Sequence, residues 1–281
     1  MTGRLGREFS FTDKHFSRIR KFVTAHTGIV LSDAKKDMVY GRLSKRIRKQ
    51  FEGSFDAFCH AIEESDKAEQ EYLINAITTN LTAFFRENHH FEYLRDKLVP
   101  ELLRQNQQSR KIRIWSAGCS TGEEPYSLAM ILREAIPGID NWDVKILATD
   151  LDANVVQHGQ DGVYTRERIS GLDERRQRRW FKLGKGENQG LVKVKPELQQ
   201  LILFKRLNLL HEWPMKGPFD VIFCRNVVIY FDKLTQTELF ERYANILTPG
   251  GHLFIGHSES LYKVSERFAA LGHTVYRQLP K

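Results

Sequence analysis

From Lys111 onward, short runs rich in β-branched and aromatic residues alternate with stretches whose apolar residues recur every three or four positions. Runs of the first kind predict strands, and stretches of the second kind predict amphipathic helices. The predicted strands are KIRIWSAG, VKILATD, LILFKRLNLL, DVIFCRN and HLFIGHSES. Because strands separated by helices pair in parallel, this part of the chain is expected to form an α/β, doubly wound and mostly parallel sheet.

One segment departs from that alternation. It contains WFKL, the turn-rich GKGENQG and then LVKV, a pattern that predicts a β hairpin. We therefore expect a small antiparallel β insertion at about residues 175–200.

The first hundred residues carry apolar positions at helical spacing and no long alternating segment. A second helix is expected from about Asp33 to Phe51, with Gly53 as its stop signal. The resulting domain prediction is an all-helical domain over residues 1–90, a linker helix over residues 91–110 and the α/β domain over residues 111–281.

The positive charge of the chain is concentrated near its start. Residues 1–53 hold 13 Lys or Arg against 5 Asp or Glu, while the whole chain has a net charge of +8. Val39, Leu43 and Ile47 form the apolar row of the second helix, and a positive stripe on a neighbouring face consists of Arg42, Lys45, Arg46 and Lys49. The stripe is either a solvated face or a binding surface for an acidic partner, nucleic acid or protein.

The segment IWSAGCSTGEEPYSLAMIL predicts a strand, a loop of small residues and a helix. In an open α/β sheet a ligand lies beside such a loop, and Gly118 and Gly122 would let it approach the backbone. The loop has no P-loop lysine. Glu123 and Glu124 would attract a ligand with a positive ammonium or sulfonium group, although either could simply stabilise the helix start.

Asp150 ends the next predicted strand, where an acidic side chain can accept hydrogen bonds from both hydroxyls of a ribose. Its alternative role is the N-cap of the helix that follows. Nucleoside binding leaves NAD and S-adenosylmethionine as candidates. The absence of GxGxxG and the acidic helix start favour S-adenosylmethionine.

Two further strand ends are expected at the same cleft. Asn208 offers an amide for an adenine edge and Leu209 an apolar wall. CRNVVIYF, with Arg225, Asn226 and Tyr230, stands where many nucleic-acid amino-methylating enzymes have an Asn/Asp-Pro-Pro-aromatic sequence. This difference favours an anionic acceptor over a nucleic-acid base, although Arg225 and Asn226 could instead cap the next helix.

The chain resembles the CheR family, the chemotaxis receptor glutamate O-methyltransferases. The matching motifs are TTNLTAFFRE, WSAGCSTGEEPYSLA, ATDLD, LNLL, FDVIFCRNVVIYF and TPGGHLFIGHSES. The resemblance implies a Rossmann-like class I methyltransferase domain that transfers a methyl group from S-adenosylmethionine to receptor glutamates. The cofactor contacts it implies are Asn80, Thr82, Arg86, Glu123, Asp150, Asn208, Leu209, Arg225 and Asn226, with Glu124 an alternative to Glu123.

The resemblance also suggests roles and partners. Arg86 and Tyr230 are the predicted catalytic residues, and the positive stripe is predicted to bind the helical cytoplasmic bundle of chemoreceptors. The β insertion could dock a tethering peptide from the receptor C-terminus. We expect a cytoplasmic monomer, with S-adenosylhomocysteine as product and no metal, nucleic acid or membrane insertion; the alternative is a nucleic-acid methyltransferase or nucleotide-sensing regulatory module.

Overall fold

A computed structural model describes residues 7–280, whose contacts form two compact units. The helical unit contains the described residues up to Thr79 together with Tyr230–Asp232, and the α/β unit contains Asn80–Ile229 and the residues from Lys233 onward. The division therefore precedes the predicted boundary at residue 90. The reason is that Phe84 and Phe85 pack against the core of the α/β unit, where the Phe85 N–H donates to Ser127 Oγ over 3.0 Å.

The helical unit is built from four main helices whose apolar faces share one core. Thr12 caps the first helix by accepting from the His15 N–H, and the 3₁₀ turn Asp33–Lys35 precedes the second. The predicted apolar row is confirmed, because Val39, Leu43 and Ile47 are fully buried. The helices are α1 (Asp13–Thr27), α2 (Lys36–Gln50), α3 (Phe55–Glu63) and α4 (Lys67–Ile77).

The α/β unit opens with a helical segment that belongs to its core. This segment comprises α5 (His89–Tyr93), a π-helical turn (Leu94–Leu98) and α6 (Val99–Gln105). Phe91, Leu94 and Leu98 are buried in the same cluster as the sheet residues. The predicted linker helix is thus a packed helix, because its apolar face covers the sheet.

The central sheet of the α/β unit has seven strands. They are β1 (Lys111–Ala117), β2 (Asp143–Asp150), β6 (Ile202–Arg206), β7 (Phe219–Cys224), β8 (Leu247–Ile255), β9 (Phe268–Gly272) and β10 (Val275–Gln278). Their order is β6-β2-β1-β7-β8-β10-β9. The five predicted strands are present and parallel, whereas β10 is antiparallel to both neighbours. The carboxyl ends of the parallel strands share one edge, which is where ligands bind in such sheets.

Helices connect the strands of the α/β unit. They are α7 (Glu123–Ala135), α8 (Ala153–Asp161), α9 (Glu174–Trp180), α10 (Pro196–Gln199) and α11 (Lys233–Ile246). Within residues 7–280, no helix combines the length and the apolar character that crossing a bilayer requires.

A separate small sheet contains β3 (Val163–Thr165), β4 (Phe181–Leu183) and β5 (Leu191–Val194) in the order β3-β5-β4. The predicted hairpin is confirmed, because β4 pairs antiparallel with β5. The insertion begins earlier than predicted, since β3 supplies a third strand that pairs with β5.

Candidate active site

The loop between β1 and α7 requires glycine at two positions. Gly118 has φ +97°, and a Cβ there would lie 2.3 Å from Val227 Cγ2. Gly122 has φ +99°, and its Cβ would lie 2.8 Å from the Cα of Gly159. Because side chains are excluded at both positions, the loop backbone stays closely packed at the carboxyl end of β1.

Asp150 fixes this loop from the end of β2. Its Oδ2 accepts from the Ser120 N–H over 2.8 Å and its Oδ1 from the Asp152 N–H over 3.1 Å. The alternative role as a helix cap is wrong, because Asp152 caps α8 by accepting from the Asn154 N–H. Burial raises the pKa of Asp150 to about 6, against opposing hydrogen bonds from the backbone.

The segment Asn80–Arg86 is anchored beside the same loop. Asn80 Nδ2 donates to Asp152 Oδ2 over 2.9 Å, and its carbonyl accepts from Ser120 Oγ over 3.0 Å. The half-buried Arg86 donates to the Leu81 carbonyl over 2.7 Å, which closes a turn. The structure thus brings Asn80 and Asp150 to one edge of the sheet, each bonded to Ser120.

Glu123 and Arg168 form a pair that the sequence analysis missed. Glu123 is fully buried and accepts from Thr121 Oγ1 over 2.6 Å. Its Oε1 lies 3.0 Å from Arg168 Nη2 but makes no hydrogen bond of good geometry. Arg168 also donates to the Thr82 carbonyl over 3.1 Å and so bridges two predicted cofactor residues. The motif around it, RERIS, gave no signal of this position because nothing in it distinguishes Arg168 from a solvated arginine.

Arg225 lies in a buried network of ion pairs just beyond the end of β7. Its side chain is only 3% exposed, with Nη1 3.1 Å from Glu124 Oε2 and Nη2 3.2 Å from Glu87 Oε2. Nη2 also donates to the Arg86 carbonyl. Glu124 accepts in addition from Ser116 Oγ over 2.6 Å. Arg225 therefore neutralises two enclosed carboxylates, and it does not cap a helix.

In the triad of Glu87, Glu124 and Arg225, the pKa values of the two acids shift in opposite directions. Burial alone would raise the pKa of Glu87, but the hydrogen bond from His257 and the charge of Arg225 lower it to about 2. Burial raises the pKa of Glu124 above its ordinary value, and Arg225 and Ser116 oppose that rise. Glu87 is thus the more firmly ionised partner of Arg225.

No metal is expected from the sequence, but the fold places ligand atoms of Glu87, His89 and His90 within 4.8 Å of one another. Arg225 already supplies positive charge to Glu87 at 3.2 Å. The buried His90 has its pKa lowered to about 4, first by burial and then by Arg225. This geometry suits an ion pair beside a neutral imidazole better than a metal centre.

The other predicted cofactor residues follow β6 and β7. Asn208 is half-buried and its Oδ1 accepts from the Leu210 N–H over 3.0 Å, while Leu209 is buried. Asn226 follows β7 in the left-handed region with φ 59°. Each of these residues therefore lies just beyond the carboxyl end of a parallel strand, as predicted.

In the helical unit, the arginines and the lysines of the positive stripe have different environments. Arg42 donates to the carbonyls of Ile77 and Thr78 over 3.0 and 2.7 Å, so it caps the end of α4. Arg46 binds the buried Glu69, with Nε 3.0 Å from Oε2. Lys45 and Lys49 are exposed. Only these two lysines of the stripe are therefore directed to solvent.

Tyr230 belongs to the helical unit by its contacts. It ends the 3₁₀ turn Val228–Tyr230, and its carbonyl accepts from the Val30 N–H over 2.9 Å. Its predicted catalytic role stays a prediction.

Comparison with known families covers both units. The family described as "CheR methyltransferase, all-alpha domain" matches residues 14–78, and "CheR methyltransferase, SAM binding domain" matches residues 80–277. The chain belongs to the CheR methyltransferase family. The boundary between the two matches coincides with the division of the structure after Thr79.

Two relatives show how far the CheR similarity extends. The chain is 45% identical to chemotaxis protein methyltransferase 2 of Pseudomonas aeruginosa over 272 residues, which cover 96% of this chain and 95% of that protein. It is 42% identical to the chemotaxis protein methyltransferase of Escherichia coli over 281 residues, which cover 98% and 93%. This CheR protein is an S-adenosylmethionine-dependent methyltransferase, and the resemblance found in its sequence is confirmed.

Proposed function

We propose that this CheR protein transfers the methyl group of S-adenosylmethionine to glutamate side chains on the helical cytoplasmic bundle of chemoreceptors. The observation that carries the proposal is the match of both CheR domains to a chain whose β1 loop, Asp150 and Asn80 converge at one sheet edge. The products are glutamyl methyl esters and S-adenosylhomocysteine, and the reaction serves chemotaxis adaptation in the cytoplasm.

The reaction is an in-line displacement. A carboxylate oxygen of the receptor glutamate attacks the methyl carbon, and the carbon–sulfur bond breaks with its electron pair staying on sulfur. A glutamate has an ordinary pKa of about 4.3, so it is ionised at neutral pH and needs no general base. The protein's contribution is alignment and exclusion of water, which supply ~7–11 kcal/mol in favourable cases.

The residues present fit S-adenosylmethionine. Asp150 at the end of β2 suits the ribose hydroxyls, and Gly118 and Gly122 keep the adjacent loop closely packed at the carboxyl end of β1. The buried Glu123 Oε1 has no well-formed hydrogen bond, and the guanidinium of Arg168 lies 3.0 Å from it and offsets its charge. We assign cofactor contacts to Asn80, Thr82, Glu123, Asp150, Asn208, Leu209 and Asn226.

Arg225 and Glu124 receive a supporting role in this proposal. Their charges are satisfied by each other, by Glu87 and by Ser116. We infer that they hold the β7 end against α7, and that Glu123 is the glutamate that contacts the cofactor.

Arg86 is the proposed positioning group for the acceptor carboxylate. Its guanidinium is half-buried and anchored through Leu81, which leaves further N–H donors for an anion. We expect Arg86→Ala to lower the methylation rate at saturating S-adenosylmethionine at least about tenfold, or ~1.4 kcal/mol of transition-state stabilisation. Steady-state kinetics with a receptor fragment measures this effect, and near-wild-type turnover would remove Arg86 from the mechanism.

Lys45 and Lys49 are proposed to bind the acidic receptor bundle. Changing both to Glu should raise the KM for receptor several-fold and leave the affinity for S-adenosylmethionine unchanged. Arg46 is unsuitable for this test because its loss would leave Glu69 buried without its partner. The control is Lys14→Glu with Lys21→Glu, the same charge change at exposed positions of α1.

Salt dependence gives a second readout of the same surface. Exposed charges are screened over ~8–10 Å at 0.1–0.15 M salt, so the wild-type rate at low receptor concentration should fall as salt rises. If the control with Lys14→Glu and Lys21→Glu shows an equal rise in the KM for receptor, then net charge, and not the surface formed by Lys45 and Lys49, sets receptor affinity.

The small sheet is proposed to dock a receptor tethering peptide. β4 lies at one edge of the order β3-β5-β4, and Lys182 on β4 and the nearby Lys185 are exposed. An extended peptide can add to such an edge through main-chain hydrogen bonds.

We further propose that the enzyme acts as a monomer.

The function is tested with S-adenosylmethionine labelled in the methyl group and a set of receptor cytoplasmic fragments. We expect base-labile label on receptor protein and none on DNA or RNA. Label on nucleic acid alone would favour the competing nucleic-acid methyltransferase, which also predicts tight binding with a steep salt dependence.

A further inference from the structure

Glu259 is a buried acid whose carboxylate is surrounded by backbone N–H groups. Glu259 is only 6% exposed. Oε1 accepts from the N–H groups of Val227 and Val228, both over 2.9 Å, and from that of Ile229 over 3.3 Å. Oε2 accepts from Asn226 N–H over 2.9 Å and from Gly256 N–H over 2.5 Å.

Four of these donors are consecutive in sequence, from Asn226 to Ile229. They form the loop that directly follows β7, and each would otherwise need another acceptor within the α/β unit. Consecutive N–H groups that converge on one point make an anion-binding concavity, which here is filled by the protein's own carboxylate. Glu259 thus determines the path of this loop.

The loop forms one wall of the proposed cofactor site. Asn226 is held with φ 59°, and its Nδ2 would lie 2.4 Å from a Cβ at Gly256. Val227 approaches Gly118 so closely that a Cβ on Gly118 would meet its Cγ2 at 2.3 Å. A shift of the loop would therefore move Asn226 and change the space over the glycine loop together.

We propose that Glu259 is a positioning residue for S-adenosylmethionine binding, because its carboxylate fixes the Asn226–Ile229 loop against the glycine loop. This inference rests on the proposed function. Glu259 does not touch the cofactor in this account; it acts through Asn226 and Val227. Burial raises the pKa of Glu259, and its backbone hydrogen bonds oppose that rise.

The test is Glu259→Gln, which keeps the size of the side chain but replaces one acceptor oxygen by an NH₂ donor. That donor would face N–H groups of the loop, so the loop must move. We expect the Kd for both S-adenosylmethionine and S-adenosylhomocysteine, measured by calorimetry, to rise at least about tenfold. The loss of hydrogen bonds to a charged acceptor changes Kd by a factor of this size.

The matched control is Asp220→Asn. Asp220 is 8% exposed and accepts from the Arg113 N–H over 2.7 Å and from Asn106 Nδ2 over 3.2 Å, near the amino ends of β1 and β7. We expect this variant to lose thermal stability but keep its cofactor Kd. Equal losses of affinity in both variants, or an unchanged Kd in a folded Glu259→Gln, would overturn the inference.

Two further measurements distinguish a failure of this inference from misfolding of the variant and from a failure of the proposed function. Should Glu259→Gln not fold, hydrogen exchange on the wild type without cofactor decides, because the N–H groups of Asn226–Ile229 must be protected; exchange at the rate of open loops would overturn the proposal. A wild-type protein that binds S-adenosylmethionine and S-adenosylhomocysteine but does not methylate receptor glutamates would refute the proposed function and leave the role of Glu259 intact.

Discussion

Arg225→Met is expected to lower the free energy of unfolding of the α/β unit by about 3–5 kcal/mol, the usual cost of removing one partner of a buried ion pair. Methionine keeps much of the volume, so the loss comes from Glu87 and Glu124, which are only about a tenth exposed and would lose their shared cation. Denaturant unfolding followed by circular dichroism measures the change.

Two comparisons isolate the charge of Arg225. Arg178→Met removes an exposed pair with Glu174 and should cost no more than ~1 kcal/mol. Adding Glu124→Gln to Arg225→Met should recover part of the loss, because one enclosed negative charge disappears. If Arg225→Met is no more harmful than Arg178→Met, the triad does not stabilise the fold.

Asp150→Ala is expected to weaken S-adenosylmethionine binding by ~1.5–3 kcal/mol, the range for hydrogen bonds to a charged group. Calorimetry measures the affinity, and Asp161→Ala on α8 is the control for a charge change nearby. A folded Asp150→Ala protein with unchanged affinity would remove Asp150 from the cofactor site.

The pH dependence of binding follows from the same carboxylate. Because burial raises the pKa of Asp150 to about 6, the side chain is ionised above that pH and protonated below it. Protonation removes an acceptor, so wild-type affinity should fall as the pH drops through about 6. The Asp150→Ala protein should lack this component of the pH dependence.

Much of the cofactor edge could be predicted because it depends on local rules. Parallel strands present their carboxyl ends at one edge, so a glycine loop after one strand and Asp150 after the next had to converge there. The sequence left two roles for Asp150, binding of the ribose hydroxyls and capping of the next helix. The helix-cap role is excluded by a neighbour, since Asp152 supplies the cap of α8, and the cofactor role stays a prediction.

Pairings across the sheet could not be predicted in the same way. Glu124 and Arg225 are 101 residues apart, and they meet because β1 and β7 are adjacent. Arg168 lies in no motif, and the motif TPGGHLFIGHSES contains Glu259 without indicating its partners. The partners of both residues are backbone groups or acids on other elements. Arg42 and Arg46 looked equivalent to Lys45 and Lys49 by helical spacing. Their acceptors lie on α4 or at its end, which the pattern of α2 does not show.

The short strands mark another limit of pattern reading. β3 spans three residues and β10 four, which is too short for an alternation to stand out. The equally short β4 and β5 were predicted from the turn-rich GKGENQG between them. The identity of β3 and β10 depends on pairing with β5 and with β8 and β9, contacts between segments far apart in sequence.

The central claim is that the methyl group ends on a receptor glutamate. Its most direct test is tandem mass spectrometry of a receptor cytoplasmic fragment after incubation with the protein and S-adenosylmethionine, beside the Asp150→Ala protein. We predict a mass increase of one methylene on defined glutamates, reversed by mild base, and strongly reduced with the Asp150→Ala protein. Modification of any other residue type, or none on the receptor while the protein turns over S-adenosylmethionine on another substrate, would contradict the account.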